Sequence, residues 1–143
     1  MNHYTKRIIA SLILVASGWA QADIAVVVNP AYAAASAGAD DLSKLFLGKS
    51  DALAGGGHLT PVDQAEGVAA RTVFYDKVCN KNAAQLNAYW SRLIFTGQGQ
   101  PPKVIEGGDA AVVDYVAKTA DGVGYVSSTA VNAKVKVIAT FPE

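Results

Sequence analysis

The stretch Ile24-Ala25-Val26-Val27-Val28-Asn29-Pro30 decides the fold of this chain. Its first part is a continuous apolar run rich in valine, and Asn29-Pro30 ends it. A short apolar run without polar alternation is typical of a strand that is buried on both faces of its sheet. Such a strand needs cover on both sides, which predicts helices above and below the sheet.

Strand and helix patterns alternate along the rest of the chain. Further strands are predicted at His58–Asp63, where Pro61 indicates an edge or a strand end, and at Gly122–Ser127 and Lys134–Thr140. Helices are predicted from an N-cap at Asp40 to a stop at Gly48, over Glu66–Cys79, after the capping-box pair Asn82 and Gln85, and after Gly107–Asp109. This order predicts an α/β lobe of three layers, with a small, mostly parallel sheet and helices on both faces.

One apolar stripe identifies the core face of the helix that follows Asn82. Leu86, Trp90, Leu93 and Ile94 recur at helical spacing, which predicts that all four are buried. Burial in this stripe accounts for Trp90 without a role in ligand binding.

The first 22 residues have the pattern of a secretory signal peptide. Lys6 and Arg7 form a basic start, Ile8–Val15 is apolar, and Ala20 and Ala22 match the small-residue pattern that a signal peptidase reads. The apolar part is shorter than the roughly 20 residues of a membrane-spanning helix. We therefore expect cleavage after Ala22 and an exported domain, residues 23–143, in the periplasm. An uncleaved membrane anchor is the alternative.

Composition argues against several functions. Acidic and basic residues are balanced, so the chain lacks the basic excess of a nucleic-acid-binding protein. Cys79 is the single cysteine, which excludes an internal disulfide. His58 has no histidine or cysteine near it in the sequence, so no metal site is predicted. No nucleophile and base occur in a catalytic pattern, and we expect neither an enzyme nor a cofactor.

The turn Asp63–Gly67 is a candidate anion site because it joins a predicted strand to a predicted helix. In open α/β sheets, ligands bind beyond the carboxyl ends of the strands, often at helix N-termini. Arg71 follows in this helix and could add a fork of hydrogen-bond donors. The competing interpretation is an Arg71 that is solvated or paired with Glu66 or Asp63. The turn between Asn29 and Asp40 is a second place of this kind.

Five segments together resemble one transport family. They are Leu45–Lys49, Pro61–Gln64, Gly67–Phe74, Tyr89–Gly97 and Gly122–Val126. Their order and spacing resemble the phosphate-type periplasmic substrate-binding proteins of ABC transporters. The resemblance implies a type II periplasmic-binding fold, of which this short chain supplies a single lobe. It also implies a non-catalytic protein that binds phosphate or a similar oxyanion and works with the membrane components of an ABC transporter.

The resemblance places the anion contacts at the backbone amides of Gly67, Val68, Ala69 and Ala70 and at the Arg71 guanidinium. Phosphate binders read Gly-Ser-Gly-Thr-Arg at this helix start, so Val68 and Ala70 replace two residues with hydroxyl donors. Two such bonds to a charged ligand contribute about 3–6 kcal/mol. Weak binding is therefore expected.

An interaction module is the alternative function. In that case the lobe has lost its ligand and binds a transporter, a sensor or its own copy, and two copies facing each other could rebuild a cleft as a homodimer. The loop Thr96–Pro102 is the candidate contact, although it also fits an ordinary surface loop.

Overall fold

The computed structural model describes residues 23–143, so the predicted signal peptide, residues 1–22, lies outside the described residues. Within the described part, no helix combines the length and the apolar character needed to span a bilayer. The elements in chain order are β1 (Ile24–Val28), α1 (Ala39–Phe46), β2 (Thr60–Asp63), α2 (Ala69–Phe74), a π-helical turn (Tyr75–Cys79), α3 (Ala83–Phe95), β3 (Lys103–Val104), α4 (Gly108–Lys118), β4 (Gly122–Ser127), a 3-10 turn (Ser128–Ala130) and β5 (Lys136–Phe141).

The five strands form one sheet in the order β3-β2-β4-β1-β5. β2 runs parallel to β3 and β4, whereas β1 runs antiparallel to both of its neighbours, β4 and β5. The strands β2, β3, β4 and β5 therefore run in one direction and β1 runs against them, so the mostly parallel sheet is confirmed with β1 as its antiparallel member. Alternating strands and helices imply crossovers between neighbouring strands, but β1 instead lies between the last two strands and points the opposite way.

The three-layer arrangement is confirmed by two separate apolar clusters. One cluster joins Val26 and Val28 of β1 to α1, α2 and α3 on one face of the sheet. The other joins Ala25 and Val27 of the same strand to α4 on the opposite face. Side chains alternate between the faces of a strand, so β1 is buried on both sides. This double burial explains its continuous apolar sequence.

Gly124 lets α4 lie close against the sheet. A Cβ atom at this position would approach Val112 Cγ1 to 2.6 Å and Val62 Cγ2 to 3.3 Å. The first distance is shorter than side chains tolerate, so the helix could not pack at this depth over any other residue.

Helix ends follow local sequence signals with one exception. Asn82 and Gln85 form the predicted capping box at the start of α3. Gly48 ends α1 with a positive φ of 73°. Asp40 was wrongly predicted as the N-cap, because Gly38 takes that position with extended backbone and Asp40 lies in the first turn. A carboxylate there still stabilises the positive end of the helix.

Two details of the middle helices differ from the prediction. The helix expected over Glu66–Cys79 begins only at Ala69, because Gly67 turns the backbone with a φ of 91°. In α3, Leu86 and Trp90 are buried as predicted, and Leu93 is half-buried. Ile94 is 47% exposed, so its predicted burial was wrong. Ile94 is the last residue but one of α3, and it lies outside the apolar cluster that buries Leu86 and Trp90.

Candidate functional site

One edge of the sheet collects the ends of several elements. The parallel strands β2 and β4 both end there, at Asp63 and Ser127. β1 starts at the same edge, where Ile24 is paired with Ser127. The N-termini of α2 and α4 line this edge as well. Sheets of this type bind ligands at such a position.

A cavity of about 360 Å³ lies at this edge, between the starts of α2 and α4. We call it the edge cavity. Its ionisable lining residues are both acidic, Asp109 and Glu143. The full lining consists of Ile24, Gln64, Val68, Ala69, Ala70, Val73, Gly108, Asp109, Ser127 and Glu143.

Gln64 is the most buried polar residue of the edge cavity, with 1% of its surface exposed. Its Nε2 donates to Asp109 Oδ1 at 3.0 Å and to the backbone oxygen of Tyr125 at 2.9 Å. Its Oε1 has no hydrogen-bond partner among the described residues. A buried acceptor without a donor is unfavourable, so the wall of the cavity presents an unfilled acceptor.

Asp109 places a carboxylate at the N-terminus of α4, beside the edge cavity. It lies in the first turn of α4, and its Oδ2 accepts a hydrogen bond from the Ser127 amide at 3.1 Å. Its other carboxylate oxygen accepts from Gln64. The positive end of the helix stabilises this carboxylate. The same negative charge repels a second anion in the cavity.

Asp63 lies beside the edge cavity as a buried carboxylate that is 4% exposed. The Tyr75 hydroxyl donates to its Oδ2 at 2.8 Å, and the Tyr125 hydroxyl donates to its Oδ1. The Gln64 amide also donates to Oδ1, at 2.8 Å. Arg71 Nε forms an ion pair with the same oxygen at 3.5 Å. Buried charges persist when they are paired and hydrogen-bonded in this way.

Burial raises the pKa of both tyrosine hydroxyls, Tyr75 strongly, and the negative charge of Asp63 raises both further. Tyr75 and Tyr125 therefore remain protonated donors well beyond neutral pH. They act as fixed supports for Asp63.

The predicted site residues are distributed over two cavities. Val68, Ala69 and Ala70 line the edge cavity, whereas Gly67 and Arg71 line an adjoining cavity of about 340 Å³. We call the second one the side cavity, and it shares Val73 and Glu143 with the first. Arg71 is paired with Asp63, as the competing interpretation of this residue held.

The backbone amides at the start of α2 are available in part. The Val68 amide donates to the Ala65 oxygen at 3.2 Å, and the Arg71 and Thr72 amides both donate to the Val68 oxygen. The first turn of a helix leaves its N–H groups without partners inside the helix. The amides of Ala69 and Ala70 remain as candidate donors to a ligand.

Four site residues were not assigned from sequence: Gln64, Asp109, Tyr75 and Tyr125. Asp109 had only the signal of an acidic residue at a helix start after two glycines. Gln64 lies within the turn Asp63–Gly67 that was predicted as a candidate anion site, but its side chain was not singled out there. Among residues 23–143, no group of three histidine, cysteine, aspartate or glutamate side chains could hold a metal ion.

Neither a protein-family model nor a curated protein matches this chain. Solved structures do match, each over 82% of the chain. One is a Clostridium perfringens protein described as a phosphate ABC transporter substrate-binding protein with bound phosphate, at a TM-score of 0.62 and 17% identity. An ABC-type phosphate transport receptor from Vibrio cholerae matches at a TM-score of 0.65 and 17% identity. PstS from Borrelia burgdorferi matches at a TM-score of 0.62 and 9% identity.

The chain spans less than half of these structures, namely 44%, 45% and 47% of their lengths. At these identities the comparison shows the fold. The chain therefore has the fold of a single lobe of the phosphate-type periplasmic substrate-binding proteins, which confirms the fold that the sequence resemblance implied.

Proposed function

We propose that the chain is an exported, non-catalytic binding lobe for phosphate or a similar oxyanion, and that it serves an ABC-type transporter in the periplasm. One observation carries the proposal. Ala69 and Ala70, the first two residues of α2, line the edge cavity, in a fold shared with a protein crystallised with bound phosphate. Backbone N–H groups at a helix start are suitable donors to an oxyanion.

The charges of the site support weak binding. Asp109 and Glu143 are the ionisable residues of the edge cavity, and both repel an anion. Arg71 lines the side cavity and is partly neutralised by Asp63, so its positive charge acts on the anion only at a distance. Affinity in the micromolar to millimolar range is expected, about −4 to −8 kcal/mol.

Calorimetry with phosphate and sulfate on residues 23–143 tests the proposal. Ala69→Phe is expected to fill the edge cavity and abolish the heat of binding. Val68→Ser combined with Ala70→Ser supplies hydroxyl donors and is expected to tighten binding; serine suits position 70 because Ala70 is packed and only 9% exposed. Ala83→Phe, at the start of α3 beside the side cavity, is the matched control and is expected to leave phosphate binding unchanged.

If neither the wild type nor the Val68→Ser, Ala70→Ser variant shows a heat of binding at millimolar phosphate, the oxyanion proposal is wrong. The alternative, an interaction module, would then take its place. Phe95 favours that alternative, because it is 92% exposed at the end of α3 and directly precedes the loop Thr96–Pro102. Its neighbour Ile94 is 47% exposed, and contiguous exposed apolar surface marks contacts, here with a transporter, a sensor or a second copy. Sedimentation of wild type and Phe95→Ser would show whether the chain forms a homodimer through this residue.

The export part of the proposal has its own test. Cleavage after Ala22 should leave Asp23 as the N-terminus of protein recovered from the periplasm. Mass spectrometry of that protein decides this point, and a product that retains Met1 would contradict it.

A further inference from the structure

The side cavity has the properties of a binding site for a small organic molecule. Its volume of about 340 Å³ falls in the range of ligand pockets. Most of its wall is apolar and includes Val73, Leu86 and the buried ring of Tyr75. An apolar cavity of this size on a protein surface favours a ligand with an apolar body.

Arg71 supplies a polar anchor in this apolar wall. Its side chain is 14% exposed, and its guanidinium lies 5.5 Å from the centre of the Tyr75 ring. Arg71 Nε has no hydrogen-bond partner among residues 23–143, and its ion pair with Asp63 spans 3.5 Å. The Asp63 carboxylate already accepts hydrogen bonds from two tyrosine hydroxyls and one backbone amide. The Nε donor of Arg71, a residue that lines the cavity, is therefore left without a hydrogen bond.

The charges that line the side cavity balance in number, so the lining as a whole gives no net attraction for a multiply charged ligand. The cations Arg71, Lys77 and Lys81 are matched in number by the acids Glu66, Asp76 and Glu143. A multiply charged phosphate would lose more hydration at the apolar part of the wall than a monoanion would. A planar carboxylate matches the fork of a guanidinium and carries one charge.

We propose that the side cavity binds a small monocarboxylate with an apolar body of about benzoate size, and that Arg71 holds its carboxylate. This site uses the cavity that adjoins the one in the oxyanion proposal and shares Val73 and Glu143 with it, but it does not require that proposal to hold. The apolar body contacts Val73, Tyr75 and Leu86.

Calorimetry with benzoate, benzyl alcohol and inorganic phosphate tests this proposal on residues 23–143. Benzoate is expected to bind, and benzyl alcohol, which has the same ring without the charge, about tenfold more weakly or worse. Arg71→Met should weaken benzoate binding about tenfold to a hundredfold while leaving the weak binding of benzyl alcohol in place.

Two alanines at the first position of neighbouring helices provide a matched pair. Ala83 lines only the side cavity and Ala69 only the edge cavity. Ala83→Phe should abolish benzoate binding and spare any response to phosphate, and Ala69→Phe should do the reverse. This pair does not disturb the Arg71–Asp63 contact, so it remains informative if Arg71→Met fails to fold.

Three results would overturn the proposal: no heat from wild type with millimolar benzoate, equal binding of benzyl alcohol and benzoate, or benzoate binding that survives Ala83→Phe. The phosphate titration is read separately, so the two proposals can fail independently.

Discussion

The Tyr75 hydroxyl donates to Asp63 Oδ2 at 2.8 Å and thereby joins the π-helical turn after α2 to the end of β2. Both residues are buried, Tyr75 at 2% exposure and Asp63 at 4%. This contact fixes the helix that lines both cavities to the strand that ends between them.

Tyr75→Phe is expected to lower the free energy of unfolding by about 1.5–3 kcal/mol, because a buried carboxylate loses one of its donors. Tyr89→Phe is the matched control. Its hydroxyl donates to the neutral Leu47 backbone oxygen at 2.6 Å, so its loss should cost only about 0.5–1.5 kcal/mol. Urea denaturation of both variants measures the difference. Equal losses would show that Asp63 does not depend on Tyr75.

Alkaline pH should destabilise the fold through the tyrosines that support Asp63. Burial raises the folded-state pKa of Tyr75 and Tyr125 above the ordinary value of 10.0. Their contribution to stability is therefore complete below about pH 10 and is lost as pH rises beyond it, because the unfolded chain releases these protons first. Each tyrosine can contribute up to about 1.4 kcal/mol per pH unit.

The test compares the slope of unfolding free energy against pH between wild type and Tyr75→Phe. Both proteins carry Cys79→Ala, because burial also raises the pKa of the Cys79 thiol. The slope above pH 10 should be shallower for Tyr75→Phe. Identical slopes would mean that Tyr75 ionises equally easily in both states.

Trp90 should dominate the stability of α3. It is 6% exposed and its ring lies beside Gly48, where an added Cβ would come within 3.3 Å of it. Trp90→Ala is expected to cost about 3–5 kcal/mol. Phe95→Ala on the same helix removes a ring that is 92% exposed and should change stability by no more than about 0.5 kcal/mol. Thermal unfolding measures the stability loss of each variant. Similar losses would contradict the assignment of Trp90 to the buried face of α3 and Phe95 to the exposed face.

Asp109→Asn should improve sulfate binding by about tenfold or more, because it removes a negative charge from the edge cavity. Asp114→Asn is the control, since Asp114 lies on the same helix but is exposed. Calorimetry with sulfate compares the two variants with wild type. If both variants raise the affinity equally, overall charge rather than the position of Asp109 controls binding.

Several parts of the fold could be predicted because they leave a local imprint. The burial of β1 on both faces requires its unbroken apolar run, and the capping box of Asn82 and Gln85 involves residues three positions apart. The direction of β1 leaves no such imprint. Its antiparallel pairing with β4 joins Ile24 to Ser127, residues at opposite ends of the described chain.

The site was predictable only in its position, at the turn after β2. The separation of Arg71 from Val68–Ala70 depends on the ion pair with Asp63, which is held in turn by Tyr125, 62 positions away in sequence. Gln64 can be buried because its side-chain amide donates a hydrogen bond to the backbone oxygen of Tyr125, 61 positions away in sequence. Contacts of this kind depend on the assembled sheet, so no local sequence pattern predicts them.

The missing side chain at Gly124 affects the edge cavity as well as the core. α4 can sit at its present depth only because this position is empty, and α4 carries Asp109 at its first turn. A methyl group at position 124 would lift the helix by tenths of an ångström and move that carboxylate away from the Ser127 amide and Gln64. Position 124 thus sets the position of the Asp109 carboxylate without contacting it. Its substitution should change ligand affinity as well as melting temperature.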